Sequence, residues 1–382
     1  EEAEELNSLL MTVQKDLDPL KADFALNEYR EISEKLFDST HYIGMAEGDP
    51  VFSSIFKRGS HHNLSDEKMS HGFFHFIDLA GEEFPQTGSG RLAWAVALLH
   101  EDNPLTTRVI VNRVWHHLFG RGIVETVDNF GLQGMLPSHP ELLDYLAITF
   151  REEGWSIKRL LKQVMLSKTF QRSTIAPEQS RETDPQNVYL SHFPVRRLEA
   201  EAIRDGILAV SNCLNTDMYG ESIPVYLSDF MTGRGRPKSS GPMDGLGRRS
   251  VYIAVRRNFI PPMMLTFDKP IPFSTFGKRN TTNVPSQSLT LLNDPFIHEH
   301  AYYWAENILR SGDKSIEERI TMVYLAAFSR QPSTEEMTQG IEFLELHATD
   351  LGSNLDLLRD DPDLWKEYCH SIINLKEFIH LL

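Results

Sequence analysis

The sequence predicts a mainly α, multi-helix globular domain with a small β element and long irregular insertions, and three observations predict it. Apolar residues recur at the i, i+3, i+4, i+7 spacing of a one-sided helix in at least six stretches of the 382 residues. Most of these stretches open on a capping residue, and several close on glycine. Period-two alternation, the mark of a half-buried strand, is clear only at Val251, Ile253 and Val255, which places the β element near residues 249 to 257.

The front of the chain is acidic. Residues 1 to 50 hold 13 acidic and 4 basic side chains, so −9 of the net −16 falls there. Leu6, Leu10, Val13, Leu17, Leu20 and Phe24 alternate by four and three, which predicts an acidic amphipathic helical arm over residues 1–40. Residues 41–90 are weakly periodic and rich in Gly, Ser, His and Phe, and are expected to form an extended connection. His71 and His75 stand at i, i+4 there, but Gly72 and the lack of a matched ligand set leave no metal site expected.

Residues 91–382 carry the helical domain. Asn103 is a suitable N-cap and Pro104 a suitable first helical residue. The helix they open places Val111, Val114, Trp115, Leu118 and Phe119 on one face and Arg108, Asn112 and His116 on the other, with Arg113 and His117 beside them. After a turn-forming loop at Asp128, Asn129, Gly131 and Gly134, Ser138 to Glu141 has the form of a capping box for a second helix. Ser156 caps a third, expected to end near Phe170, and Arg197–Ser211 a fourth, on which Arg197, Glu201, Arg204 and Asp205 share a face. Residues 212–247 form an irregular insertion with six glycines. Helices over Ser286–Leu292 and from Asp294 to Leu309, capping boxes at Ser315–Glu318 and Ser333–Glu336, and a last helix with Trp365, Tyr368, Ile372, Ile373 and Phe378 complete the chain.

Six ordered blocks carry a resemblance: NPLTTRVIVNRVWHHLFGRGIV, PSHPELLDYLA, GWSIKRLLKQVMLSKTFQRS, RRLEAEAIRDGILAVS, RRSVYIAVRRN and SQSLTLLNDPF. From about Gly88 onward the chain resembles a planctomycete-type domain of unknown function. That family forms the C-terminal part of large multi-domain surface or periplasmic proteins, which often also carry cytochrome c-like and carbohydrate-binding-like modules. The resemblance implies an extracytoplasmic place and other modules of the parent protein as partners, and it implies no reaction. Where the family often has a further histidine, this chain has Leu118.

Composition narrows the classes. The acidic balance argues against nucleic acid, whose phosphates need a basic surface. No apolar run approaches the roughly 20 residues of a membrane span. The chain opens on Glu1 rather than Met, as a processed or partial chain would, so the missing signal peptide says nothing about a precursor. Cys213 and Cys369 are far apart and lie in no haem-attachment motif, so free thiols and no cofactor are expected. No nucleophile elbow, Walker A loop, Rossmann fingerprint or zinc-protease motif occurs.

Two polar sets remain. Arg108, Asn112, His116, His117 and His139 join Arg197, Glu201, Arg204 and Asp205 as one expected polar centre. It is either a buried ion-pair network or a pocket wall in which His117, His139, Glu201 and Asp205 are the catalytic candidates. Separately, residues 231–257 hold seven basic side chains against Asp244 alone, a local +6. Arg234, Arg236 and Lys238 there are expected either to bind an acidic partner, an anionic polysaccharide or the acidic surface of a neighbouring module or subunit, or to lie in a solvated loop whose arginines pair with acids elsewhere in the fold. Three readings follow: a non-catalytic scaffold or binding module serving carbohydrate-processing or redox modules, a saccharide-directed hydrolase or oxidoreductase, and a structural subunit of a cell-surface assembly.

Overall fold

The computed structural model describes residues 44–45, 52–74, 77, 84, 88–273, 275–350 and 359–381. The helical arm expected over residues 1–40 lies outside the described residues, as does His75. Among the described residues there are thirteen α-helices and two two-stranded sheets, so the chain is mainly α with small β elements. It divides into two compact units, Glu1–Asn103 and Pro104–Leu382.

In the first unit, β1 (Ser54–Phe56) and β2 (Leu64–Lys68) pair antiparallel, a hairpin inside the stretch expected to be an extended connection. Helix α1 (Arg91–Leu99) carries Trp94, whose indole N–H donates to the Gly72 carbonyl at 3.0 Å. Its ring lies 4.7 Å from Phe73 and 5.3 Å from Phe74, both edge to face. His71 lies in no helix.

Among the described residues the second unit has two large cores and a small one. In the first, Val111, Trp115 and Phe119 of α2 (Pro104–Phe119) meet Leu143, Leu146 and Phe150 of α3 (Pro140–Glu152) and Leu160 and Val164 of α4 (Ile157–Met165). Two local expectations are corrected here. Ser138 does not cap α3, because its N–H and hydroxyl both donate to the Ile123 carbonyl, at 2.9 and 3.2 Å, and close the 123–138 loop. His139 takes the N-cap position without a side-chain bond to the helix. Ser156 does cap α4, but that helix ends at Met165, where Ser167 donates to the Val164 carbonyl at 2.6 Å and accepts the Phe170 N–H. A short α5 (Glu178–Thr183) follows.

The larger core surrounds α9 (Pro295–Leu309), capped by Asp294 as its sequence predicts. Ile297, Ala301, Trp304 and Ala305 are almost wholly buried against α6 (Ala200–Val210), α10 (Ile316–Phe328), α11 (Thr334–Asp350) and α12 (Pro362–Ile373). Helices α7 (Pro262–Thr266), α8 (Pro285–Asn293) and α13 (Lys376–Ile379) close its edges. Ser315 and Glu318 form the expected capping box, and Ser333 and Glu336 exchange the same pair of bonds. Cys213 and Cys369 are both free.

Strand placement differs from expectation. β3 (Arg196–Arg197) pairs antiparallel with β4 (His380–Leu381), which takes Arg197 out of the helix expected from Arg197, so α6 starts only at Ala200. The strand expected over 249–257 is absent: Ser250–Tyr252 is a 3-10 turn, and Ile253 makes an isolated bridge to Ile223. The cause is competition, since the Arg248 carbonyl and Ser250 N–H that a ladder would use are taken by Arg204 and Asp205. The 212–247 insertion is irregular yet tied down. Asn215 N–H donates to the Gly247 carbonyl and Ile223 N–H to Tyr252, while Val225, Leu227 and Phe259 form a small core of their own.

Gly340 is tested by its neighbours. A Cβ there would stand 2.8 Å from the Tyr368 hydroxyl and 3.1 Å from Ile320 Cδ1. Alanine gains about 1 kcal/mol in helix propensity, but overpacking costs roughly 1 to 3 kcal/mol. Gly340→Ala is therefore expected to lower the urea midpoint rather than raise it.

Acid should act at Arg330, which donates to Glu336 at 2.7 and 2.8 Å and to Glu377 at 2.7 and 2.8 Å, joining α11 to α13. Those hydrogen bonds hold the Glu336 carboxyl down at about 2. A folded-state value below the unfolded one stabilises above the ordinary glutamate range and is lost as pH falls from near 4.5 toward 2. Urea titrations at pH 6 and pH 3 should show a smaller gap in Glu336→Gln than in wild type.

Candidate functional site

A cleft of about 660 Å³ opens in the second unit where four pieces of chain converge. The end of α2 brings His116, His117 and Gly120, and β3 with the approach to α6 brings Arg196 to Glu199. The 278–283 loop with α8, together with Phe267 and Asp268 ahead of it, forms a third side, and Asn374, Lys376 and His380 a fourth. Five basic side chains (Arg196, Arg197, Lys278, Arg279 and Lys376) line it against two carboxylates, Glu199 and Asp268, a surplus of three positive charges in a chain of −16.

Arg197 builds the walls. Its guanidinium donates to Asp268 at 2.6 Å, to the Phe267 carbonyl at 3.3 Å and to the Thr282 carbonyl at 2.7 Å, and it stacks over the Phe267 ring. Asp268, with φ of +62°, also accepts the Thr282 N–H at 2.8 Å. Against a burial that would raise it, the hydrogen bonds from Thr282 and Arg197 hold the Asp268 carboxyl below its ordinary value. The loop's other end is pinned at Gly277, whose N–H donates to Asp128 at 3.0 Å, and a Cβ on Gly277 would lie 2.0 Å from that carboxylate.

Arg279 joins two acids at the start of α6. It holds Glu201 with both nitrogens, at 2.6 and 3.3 Å, and lies 3.4 Å from Glu199. Glu199 also faces His117, Nδ1 to Oε1 3.7 Å, an ion pair's distance rather than a tight hydrogen bond. His117 first and then Arg279 hold the Glu199 carboxyl below its ordinary value despite burial. His117 is the exposed member, its side chain 58% accessible.

What is left unpaired defines the chemistry. Arg196 donates one nitrogen to the His117 carbonyl, and its Nε is buried without a partner among the described residues. Neither Arg196, Lys278 nor Lys376 has a carboxylate within ion-pair distance among the described residues. His116 is buried with its Nδ1 unpartnered, and burial, helped by the charges of His117, Lys278 and Arg196, pushes its pKa down to about 4. At neutral pH it is an uncharged imidazole able to meet a hydroxyl. The cleft is thus built to take negative charge and, through Asn280, Thr281, Asn283 and Ser288, hydroxyl groups.

The expected single polar centre divides into separate places. His116, His117 and Arg197 line the cleft, and Glu201 stands behind it on Arg279. Arg108 pairs with Asp144 at 2.7 Å, and Asn112 holds both backbone groups of Val124, at 2.8 and 2.9 Å. His139 contacts Ser138 and Tyr189. Arg204 and Asp205 fasten the 244–250 turn to α6: Arg204 donates to the Asp244 carbonyl at 2.6 Å and the Arg248 carbonyl at 3.0 Å, and Asp205 accepts from Ser250 N–H and hydroxyl. Arg234, Arg236 and Lys238 are exposed and line neither this cleft nor that network, and Arg236 turns back to the Met231 carbonyl at 2.7 Å. Arg196, Glu199, Asp268, Lys278, Arg279 and Lys376 were not singled out from sequence. The only signal for them was the basic pair Lys278–Arg279 ahead of a polar run, since nothing in sequence announces that Arg197 meets residues 268 and 380.

Arg204, 6% exposed, is held by groups that would be stranded without it. Arg204→Ala is expected to cost roughly 3 to 5 kcal/mol, because it leaves Asp205 and two carbonyls short of their donor. Thermal unfolding checks this, and a melting temperature equal to wild type would contradict it.

Among the described residues no group of three or more His, Cys, Asp or Glu is placed to hold a metal ion, and no helix is long and apolar enough to cross a membrane. No curated protein and no solved structure matches the chain. A family model matches residues 90–344, more than half of the chain, and the protein belongs to that family, PSD1, described as a protein of unknown function (DUF1553).

Proposed function

We propose that this chain is a non-catalytic binding module of an extracytoplasmic multi-domain protein, and that its cleft receives an acidic saccharide. The observation that carries the reading is the trio Arg196, Lys278 and Lys376, basic groups without a carboxylate in ion-pair distance among the described residues, which face one cavity in an otherwise acidic chain. Unmatched positive charge in a concave site favours a carboxylate or sulfate ligand, and arginine suits the planar oxyanion. The neutral His116 and the amide and hydroxyl side chains suit the hydroxyls of a sugar. Phe267 is the one phenylalanine, tyrosine or tryptophan in the lining among the described residues, and its ring is buried, so a base-stacking ligand gains little there. Support for the setting comes from the family resemblance, since the parent proteins it implies often also carry carbohydrate-binding-like and cytochrome c-like modules.

Calorimetric titration with tetragalacturonate, at two salt concentrations, tests the reading. Binding is expected, weakening with salt, and the double variant Lys278→Ala, Lys376→Ala should lose at least tenfold in affinity. Equal binding by the double variant, or equal binding of the uncharged cellotetraose, would overturn it.

One observation favours a second, catalytic reading: the exposed imidazole of His117 faces the Glu199 carboxylate inside the same cleft. A carboxylate-oriented histidine is an acid–base arrangement. Under this reading Glu199→Gln abolishes turnover of a bound acidic oligosaccharide while leaving its affinity within a few-fold. Absence of any turnover by the wild-type protein leaves the binding module as the reading that stands.

A further inference from the structure

A second cavity, of about 400 Å³, belongs to residues the basic cleft does not use. It lies where the irregular insertion meets α7 and the first turn of α9. Met243, Met263, Met264 and Phe296 give it an apolar lining, and thioether side chains adapt to irregular ligand shapes. Tyr226 and Phe230 add aromatic rings, and Phe230 is 95% exposed, an unusual state for a phenylalanine next to a cavity.

The polar groups here are of the opposite sign to those of the basic cleft. Asp229 and Asp294 line the cavity, and neither has a basic side chain within ion-pair distance among the described residues. Asp294 accepts the Phe296 N–H on Oδ1 at 3.0 Å, and its Oδ2 receives no hydrogen bond from the described residues. Burial pushes this carboxyl above its ordinary value, outweighing the Phe296 N–H bond and the charge of His298. The Ser228 hydroxyl, in the same wall, is shut off from solvent and has no partner among the described residues. Arg204 also lines the cavity, but its two terminal nitrogens are committed to Asp205, Ser250 and the carbonyls of Asp244 and Arg248. It is not free to receive an anion.

The walls are prebuilt. A Cβ on Gly241 would fall 1.9 Å from the Pro224 carbonyl oxygen, and one on Gly245, at φ +58°, would fall 2.5 Å from Ile253 and 2.7 Å from Arg204. The glycines let the insertion close down onto its neighbours, and the Gly241 N–H bond to the Val225 carbonyl at 2.9 Å keeps it there.

We infer that this cavity is a binding site for a small organic cation, an ammonium or amidinium group carried on an apolar or aromatic body. The apolar lining takes the body, the rings of Tyr226 and Phe230 offer π faces to the cation, and Asp294 and Asp229 supply the missing countercharge. A neutral apolar ligand leaves both carboxylates unmatched, and an anionic one adds repulsion.

The test uses the full chain with 13C-methyl-labelled methionine, titrated with benzylamine, benzyl alcohol and benzoate. Benzylamine is expected to shift the methyl signals of Met243, Met263 and Met264 to saturation, at least tenfold more tightly than benzyl alcohol, and benzoate to leave them unmoved. Asp294→Asn keeps a residue that caps a helix as well as aspartate does, so its melting temperature should hold while its benzylamine affinity falls at least fivefold. Asp229→Asn, at an exposed loop position, is the second variant and should also weaken binding. The inference fails if benzyl alcohol binds as tightly as benzylamine, if both asparagine variants bind benzylamine as wild type does, or if only methionines elsewhere respond.

Discussion

The architecture of the cleft depends on one side chain, the Arg197 guanidinium. It is the donor for three acceptors that belong to two separate pieces of chain: Phe267 and Asp268 after α7, and Thr282 in the following loop. Its own backbone is paired to His380 near the C-terminal end, so one residue fixes three sides of the cavity at once. Burying a guanidinium carries a desolvation cost of several kcal/mol, offset only when its donors are met by well-placed acceptors. Asp268 and the two carbonyls meet that condition for the terminal nitrogens, while Nε stays buried without a partner among the described residues; lysine, a point charge with three donors, does not reproduce the geometry of the planar fork.

The surplus of positive charge around the cleft follows from how that requirement is distributed. Arg197 and Arg279 are matched by Asp268, Glu201 and Glu199, and they serve the framework. Arg196, Lys278 and Lys376 add charge without adding acceptors. Burial of the His116 ring, helped by the charges of His117, Lys278 and Arg196, favours its neutral form, and the contact with His117, then the charges of Arg279 and Arg196, keep Glu199 ionised. The same logic runs in reverse at the second cavity, where Asp229 and Asp294 carry the unmatched charge.

The helical framework was legible because its signals are local. Pro104, Ser156, Asp294–Pro295, Ser315–Glu318 and Ser333–Glu336 each predict an end from bonds made within one turn, and the structure contains all of those starts. Ser138 misled because a serine before a helix has two uses, and closure of the 123–138 loop won. Val251 to Val255 misled for a related reason, since alternation describes side chains while the backbone groups were claimed by Arg204 and Asp205. The cleft was legible only in part. His116, His117 and Arg197 were singled out from helical spacing, whereas their companions at 268, 278–279 and 376 arrive through contacts more than 70 residues distant, as from Arg197 to Asp268. No periodicity encodes such contacts.

Helix α6 shows why the two cavities form one mechanical problem. Glu199, at its N-cap, and Glu201, in its first turn, are held by Arg279 beside the basic cleft, and Arg204 and Asp205, one turn on, hold the 244–250 turn beside the second cavity. Ile203, Ile207 and Leu208, all wholly buried, fix the third face of the same helix in the core. Rotation or sliding of α6 would therefore break charged hydrogen bonds on two sides and open voids on the third, and each of those losses is of kcal/mol size. Close-packed interiors do not deform continuously, so the helix is held as a fixed wall shared by both sites. The irregular segments can remain irregular because they are fastened to that wall by arginine and aspartate rather than by a ladder of their own.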